Sequence, residues 1–421
     1  MVAVIAVLGT VRSARGDANL TLAAAQAEAR AHAPDAMELE TRLRGASAVA
    51  ADAHRWLRRD PVVTATGAQG INEVGERSFE IGVSWTIDVS GSWAARGASA
   101  DADRTRVVHE REDGLRALDE AVAITMAEAG FAQRATFRAD RIAALFAVAS
   151  AAARRQLDAG SGTQLDVDAA DLDFAGARAT MVEARASLDD ARVRLGRLLA
   201  RTDVASMIVE DPVESVLPAT PGAAAAIIEE DPRVRAVLAE VDAATHERVM
   251  YERLVIPMPT VGVSYAVHQN EIPTGSFTGA AAAGLGAAWT DRQATLTLSV
   301  PIPSFDRQTA GRVQATARIA NAEAHARVVR ALVGAELATA HIAYRSAADS
   351  YAALAPTAQV LERDLALLDK SIQAGAIDSA TRALALRRLA EIGARSDAAL
   401  RDLRIRRAQL LRRASRKVTG R

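Results

Sequence analysis

The chain has 421 residues with 51 basic and 52 acidic side chains, and this near-neutral balance removes the simplest electrostatic argument for nucleic-acid binding. Nearly a quarter of the residues are alanine and only 4% are aromatic, a mixture that favours long, closely packed helices over the bulky centre of a compact enzyme. The absence of cysteine excludes disulfides, thiolate catalysis and thiolate metal sites.

Val2 to Leu8 reads either as the remnant of a signal-peptide apolar region or as an ordinary buried segment, and residues 1–19 are set apart on that ground. No stretch approaches the roughly eighteen apolar residues of a transmembrane helix, so any membrane crossing must use strands. The first helix is expected to start at Thr21 and to pause near Pro34. A second, from Asp35 to Arg59, ends at the Asp60-Pro61 step, because proline constrains the residue before it and lacks an amide donor. The period then changes. From Ser78 to Ser90, Phe79, Ile81, Val83, Trp85, Ile87 and Val89 alternate with Ser78, Glu80, Gly82, Ser84, Thr86 and Asp88, which predicts a strand with one oily and one polar face. Residues 62–70 are its weaker partner.

A helix is expected from about Asp101 to Leu157, reaching roughly 80 Å. It breaks at Asp158-Ala-Gly-Ser-Gly162. A returning arm runs from Gln164 to about Arg201, with Leu165, Leu172, Ala179, Ala186 and Val193 spaced by seven, a coiled-coil seam in which small residues permit close approach.

The plan then repeats. Pro232 stands 198 residues after Pro34, whereas the tip glycine Gly375 stands 215 after Gly160, and one insertion of 17 residues in the loop from about Asn270 to Asp291 explains the difference. Strands are expected over 260–269 and 292–302. A helix after Pro303 pauses at Pro356 and resumes to Gln373, a second tip covers 373–379, and the last arm leads to a basic tail, 412–421. The two repeats are 20–207 and 208–411. The tail reads as a frayed, solvated end or as a contact for anionic lipid or a partner.

Four half-apolar strands have no large core to hide against, and in lipid their open edges would leave backbone groups unpaired. The smallest closed barrels have about eight strands, so several copies must share one. The hairpins that follow each strand pair would then form a ring and continue the tube. Two other readings stay open: a helical protein whose strands form a small capping sheet, and a periplasmic coiled-coil scaffold or adaptor without a pore.

The order of elements closely resembles the outer-membrane factor family, the TolC-like outer-membrane efflux proteins. LTLAAAQAEARAHAP resembles the family's opening helix, RRQLDAGSGTQLDVDAADLDFAGARATMVEARASLDDARVRLGRLLA its first tip and returning arm, and LTLSVPIPSFDRQTAGRVQATARIANAEAHA its second strand-to-helix junction. The short connections are similar to the cobalt-zinc-cadmium and copper-silver efflux branch. The resemblance implies a mainly α fold with β: a periplasmic α-barrel of helical hairpins, and four strands given to a homotrimeric twelve-stranded transmembrane β-barrel. It implies an outer-membrane location with a periplasmic extension, and outer-membrane lipid, a periplasmic adaptor and an inner-membrane transporter as partners. Passive conduction is the implied role, with metal cations or small toxic compounds as cargo and with no enzymatic activity, cofactor or nucleic acid.

The tip residues Asp158, Gly160, Thr163, Leu165 and Asp166, with Gly375, Ile377, Asp378 and Ser379, correspond to the family's adaptor-docking and gating region. Many relatives carry a lipidated cysteine; with none here, no such anchor is expected. Some channels narrow the tip with acidic residues where this sequence has Thr381 and Leu384, so an acidic ring would have to come from Asp158, Asp166 or Asp378. For Asp166 the alternative is a helix N-terminal charge near amide donors. Arg387 and Arg388 read as inter-subunit pairs holding a closed tip, or as solvated side chains. None of the seven histidines has metal-ligand spacing, and His268 is expected to face the barrel lumen. No nucleophile elbow or phosphate loop occurs. GSFTGAAAAGLGAAW, from Gly275, reads as an extracellular loop.

Overall fold

The computed structural model describes residues 19–56, 60–69, 75–204, 207–210, 224–271, 289–302, 308–373 and 379–414. Its elements are α1 Leu22–His32, α2 Pro34–Ala53, β1 Val62–Gln69, β2 Gly75–Thr86, α3 Ser92–Asp158 and α4 Gln164–Leu198. They continue with α5 Ala224–Glu229, α6 Pro232–Arg253, β3 Thr260–Glu271, β4 Trp289–Ser299, α7 Thr309–Gln373 and α8 Ser379–Arg413. The segment 1–18, the loop from Gly275, the tip residues Gly375, Ile377 and Asp378, and the tail beyond 414 lie outside the described residues. No described helix is long and apolar enough to cross a membrane.

The chain divides into two compact units. One comprises residues 42–109 and 235–328, the other residues 1–41, 110–234 and 329–421. The first contains a single antiparallel sheet in the order β1-β2-β3-β4. Both hairpins and the central β2–β3 pair share one continuous register, in which Val63 meets Val83, Val83 meets Val263, and Val263 meets Leu296.

In the second unit, α1 packs on α3 and α4 through Leu20, Ala25, Ala29, Leu118, Val122, Met126, Ala191 and Leu195. Thr21 caps α1, its hydroxyl accepting from the Ala24 amide at 3.2 Å, and Arg30 pairs with the buried Asp119. Farther along, Ile142 and Phe146 of α3, Phe174 of α4, Leu365 of α7 and Leu386 of α8 form one cluster in which all four long helices meet. Alanine at most other contact positions lets the helices approach closely, so a few large side chains fill each layer.

Several boundaries differ from expectation. Helix α2 ends at Ala53, short of Arg59. Helix α3 starts at Ser92, ahead of Asp101, and β2 stops at Thr86 instead of reaching Ser90. Asp88, described below, turns the strand directly into the helix. Helix α7 does not pause at Pro356; it runs unbroken from Thr309 to Gln373. Proline removes one amide donor, a local cost that long packed segments on either side absorb.

Candidate functional site: a two-faced sheet and a helical tip

The register sorts every strand residue onto one of two faces. Phe79, Ile81, Val83 and Trp85 align with Val63 and Ala65, with Val261, Val263, Tyr265 and Val267, and with Leu296 and Leu298. This face is open to the surroundings, with Leu296 76% exposed. The opposite face carries Thr64, Thr66, Ser78, Glu80, Ser84, Ser264, His268, Asp291, Gln293 and Thr295. His268 lies there between Ser78 and Asp291.

The sheet also curls toward that polar face. A Cβ placed on Gly82 would stand 3.1 Å from the Ser264 Cβ and 3.1 Å from the Thr64 Oγ1, and one on Gly262 would stand 3.5 Å from the Ser84 Cβ. Cross-strand Cβ atoms in an uncurled sheet are about 4.5–5.5 Å apart. The polar face is concave and the apolar face convex, and among the described strands β1 and β4 are each paired on one side.

Asp88 joins sheet to helix. Its Oδ1 accepts from the Ser90 amide at 2.9 Å and the Ser90 hydroxyl at 2.6 Å, and its Oδ2 accepts from the Ser92 hydroxyl at 2.6 Å and the Trp93 amide at 3.1 Å. Its backbone carbonyl accepts from the Trp56 indole at 3.2 Å. Burial opposes ionisation, but the hydrogen bonds outweigh it and hold the carboxyl below the ordinary carboxylate range. Asp-Val-Ser-Gly-Ser ahead of a helix is a legible capping signal that the strand reading hid.

The first tip is closed by two complementary motifs. At the end of α3, the amide of Ser161 donates to the Gln156 carbonyl at 2.9 Å and that of Gly160 to the Leu157 carbonyl at 2.9 Å, with Gly160 at φ +73°. This left-handed turn suits glycine. Gly160→Ala is therefore expected to cost about 1 kcal/mol, read as a lower thermal midpoint. Helix α4 begins with a capping box. The Thr163 hydroxyl accepts from the Asp166 amide at 3.2 Å, and the Asp166 carboxylate accepts from the Thr163 amide at 3.0 Å. Bonds from the Thr163 hydroxyl and then its amide hold Asp166 below the usual carboxylate pKa. Of the two readings of Asp166, this geometry supplies the helix-start role. Asp158 and Leu165 are exposed beside it.

On α8, Thr381, Leu384, Arg387 and Arg388 are exposed, and Ser379 opens the helix. Arg387 meets Asp173 of α4, so within one chain this arginine ties the two returning arms together. Asp171 fastens α4 to α3, accepting from Ser150 Oγ at 2.5 Å and Arg154 at 2.8 Å, and Asp397 of α8 pairs with both Arg134 and Arg138 of α3. These partners stand too far apart in sequence to be paired by spacing.

The seam of α4 does not pack inside the chain. Leu165, Leu172, Ala179, Ala186 and Val193 are all exposed, Leu172 by 74%, while Val167, Ala191, Leu195 and Gly196 are the buried positions of that helix. Helix α7 carries similar stripes: Val313, Ala317, Ala320, Ala324 and Val328 in one unit, and Ala331, Ala335, Ala338 and Ile342 in the other, are exposed at helical three-and-four spacing. Among the described residues no group of three or more histidine, aspartate or glutamate side chains could hold a metal ion.

No protein-family model and no curated sequence matches the chain. Solved structures do. A membrane protein from Pseudomonas aeruginosa superposes with a TM-score of 0.73 at 18% identity, covering 93% of each chain. CusC, described in connection with transmembrane channel formation, gives 0.72 at 16% identity, covering 93% of this chain and 91% of its own. The CmeC outer membrane channel of Campylobacter jejuni gives 0.70 at 10% identity, covering 93% and 85%. The likeness is one of fold, and the fold is that of the TolC-like outer-membrane channels.

Proposed function

Starting from this fold, we propose that the protein is an outer-membrane conduit of a tripartite efflux system, with a barrel in the membrane and helical hairpins in the periplasm. The observation that carries the reading is the curled sheet: a convex apolar face for lipid, a concave polar face for a water-filled lumen, and two unpaired edges. Backbone groups along the outer edges of β1 and β4 find partners when copies join edge to edge. The family resemblance sets the number at three copies and twelve strands, and the exposed seams of α4 and α7 supply apolar surfaces for neighbouring copies. The repeated strand-and-hairpin plan, residues 20–207 and 208–411, places two strands and one hairpin per repeat around the ring.

Cargo passes through without covalent chemistry. A periplasmic adaptor and an inner-membrane pump deliver it at the tips, where Asp158, Gly160, Thr163, Leu165, Asp166, Gly375, Ile377, Asp378, Ser379, Thr381 and Leu384 form the docking and gating region. The Arg387–Asp173 link holds the returning arms together there. Metal cations and small toxic compounds are the cargo classes that the resemblance suggests.

Light scattering of the full-length protein in mild detergent, with the detergent contribution subtracted, tests the assembly. The expected protein mass is three times the 44.3 kDa chain. Planar bilayers containing that species should show unitary conductance steps. A monomer whose mass does not depend on detergent, or a trimer that never conducts, would overturn the proposal.

A further inference from the structure

We infer that Arg77 and Arg292 form a binding site for the phosphates of the outer-leaflet glycolipid, lipid A, on the outer wall of the barrel; the inference rests on the membrane-spanning reading above. Arg77 pairs with Gln269 and Arg292 with Val267, so the register puts both on the convex face with Phe79, Ile81, Val83 and Val263. Both are exposed. They also lie at the same end of the strands. Thr86, Thr260 and Ser299 mark the end that leads to the helices, whereas Arg77 and Arg292 lie toward the β1–β2 and β3–β4 connections, the side facing the exterior.

The charges of the sheet are divided between its faces. Glu80 and Asp291 belong to the polar face, whereas Arg77 and Arg292 belong to the apolar one.

Arg292 shares its row with Phe79 and Val267, inside the apolar band. In a bilayer an arginine there lays its stem along the apolar surface and lifts its guanidinium to headgroup level. Two strand spacings and one row separate the arginine Cα atoms by about 12 Å, within reach of two side chains that converge on a lipid headgroup. A guanidinium binds phosphate through two parallel hydrogen bonds, and the poorly hydrated headgroup zone strengthens that attraction. The leaflet on the exterior side of an outer membrane is built from phosphorylated glycolipid, which fixes the occupant.

The test titrates the full-length protein in detergent with fluorescent diphosphoryl lipid A, dephosphorylated lipid A and phosphatidylglycerol. Wild type is expected to bind the diphosphoryl form at least about tenfold more tightly than either comparator. Arg77→Gln/Arg292→Gln should erase the difference, and Arg77→Lys/Arg292→Lys should keep part of it. Light scattering on each variant shows whether it still assembles. If the double glutamine variant fails to assemble, Arg292→Gln alone is scored, with at least a threefold loss expected. An assembled variant with wild-type affinity overturns the lipid site and leaves the channel reading intact. A wild-type monomer overturns the channel reading and the site with it. Equal binding of phosphatidylglycerol overturns the assignment to glycolipid.

Discussion

Ala179→Glu in α4 combined with Ala335→Glu in α7 is expected to reduce the detergent-solubilised protein from three copies to one, with its helical circular dichroism largely unchanged. Both alanines are exposed in the single chain, so neither substitution disturbs the packing described above. In the assembled ring each would press a carboxylate into a seam made for small apolar groups. Removing a charge from water without a partner costs several kcal/mol, and the ring repeats that cost at every junction between copies. Arg178→Glu, one position off the seam and also exposed, is the control and should assemble normally. Light scattering compares both variants with the wild type. An assembled Ala179→Glu/Ala335→Glu variant would mean that these stripes do not meet another copy.

Asp88→Ala is expected to destabilise the protein by about 2 kcal/mol, because it strips four donors of their shared acceptor at the strand-to-helix turn. The carboxyl has a folded pKa below its unfolded value. Its contribution is therefore complete above the ordinary aspartate pKa of about 3.9 and is lost as pH falls through the lower folded value. The thermal midpoint of the wild type should drop across that acid window, and the part due to Asp88 should vanish in Asp88→Asn. An Asp88→Asn variant with the wild-type acid profile would assign the acid sensitivity to other carboxylates. The natural candidates are Asp166 and Asp171, also held below the usual range by hydrogen bonds from Thr163 and from Ser150 with Arg154.

Period two made the sheet readable before its coordinates: the alternation through Phe79, Ile81, Val83 and Trp85 names the apolar face without reference to any partner. The seam of α4 was readable only in part. Seven-residue spacing marks Leu165, Leu172, Ala179, Ala186 and Val193 as a stripe that wants a neighbour, but nothing in a periodic pattern says whether that neighbour belongs to the same chain. The buried set, including Val167, Ala191 and Leu195, is offset from it and serves the chain's own core. Ion pairs such as Arg387 with Asp173 lay beyond reach, because their proximity is created by the docking of α8 on α4. The continuity of α7 through Pro356 is not legible locally, because it depends on the packing of the helix on both sides.

The open edges of β1 and β4 have a kinetic consequence. In the proposed assembly a single copy leaves the outer edges of its described strands unsatisfied, so each newly made chain would carry exposed backbone donors and acceptors until it met two others. The formation of finished channels should then rise steeply with the supply of chains, and at low supply waiting chains depend on being shielded from stray strand pairing. Regulation of expression would act as a threshold on pore number, with few pores below a critical production rate and many above it.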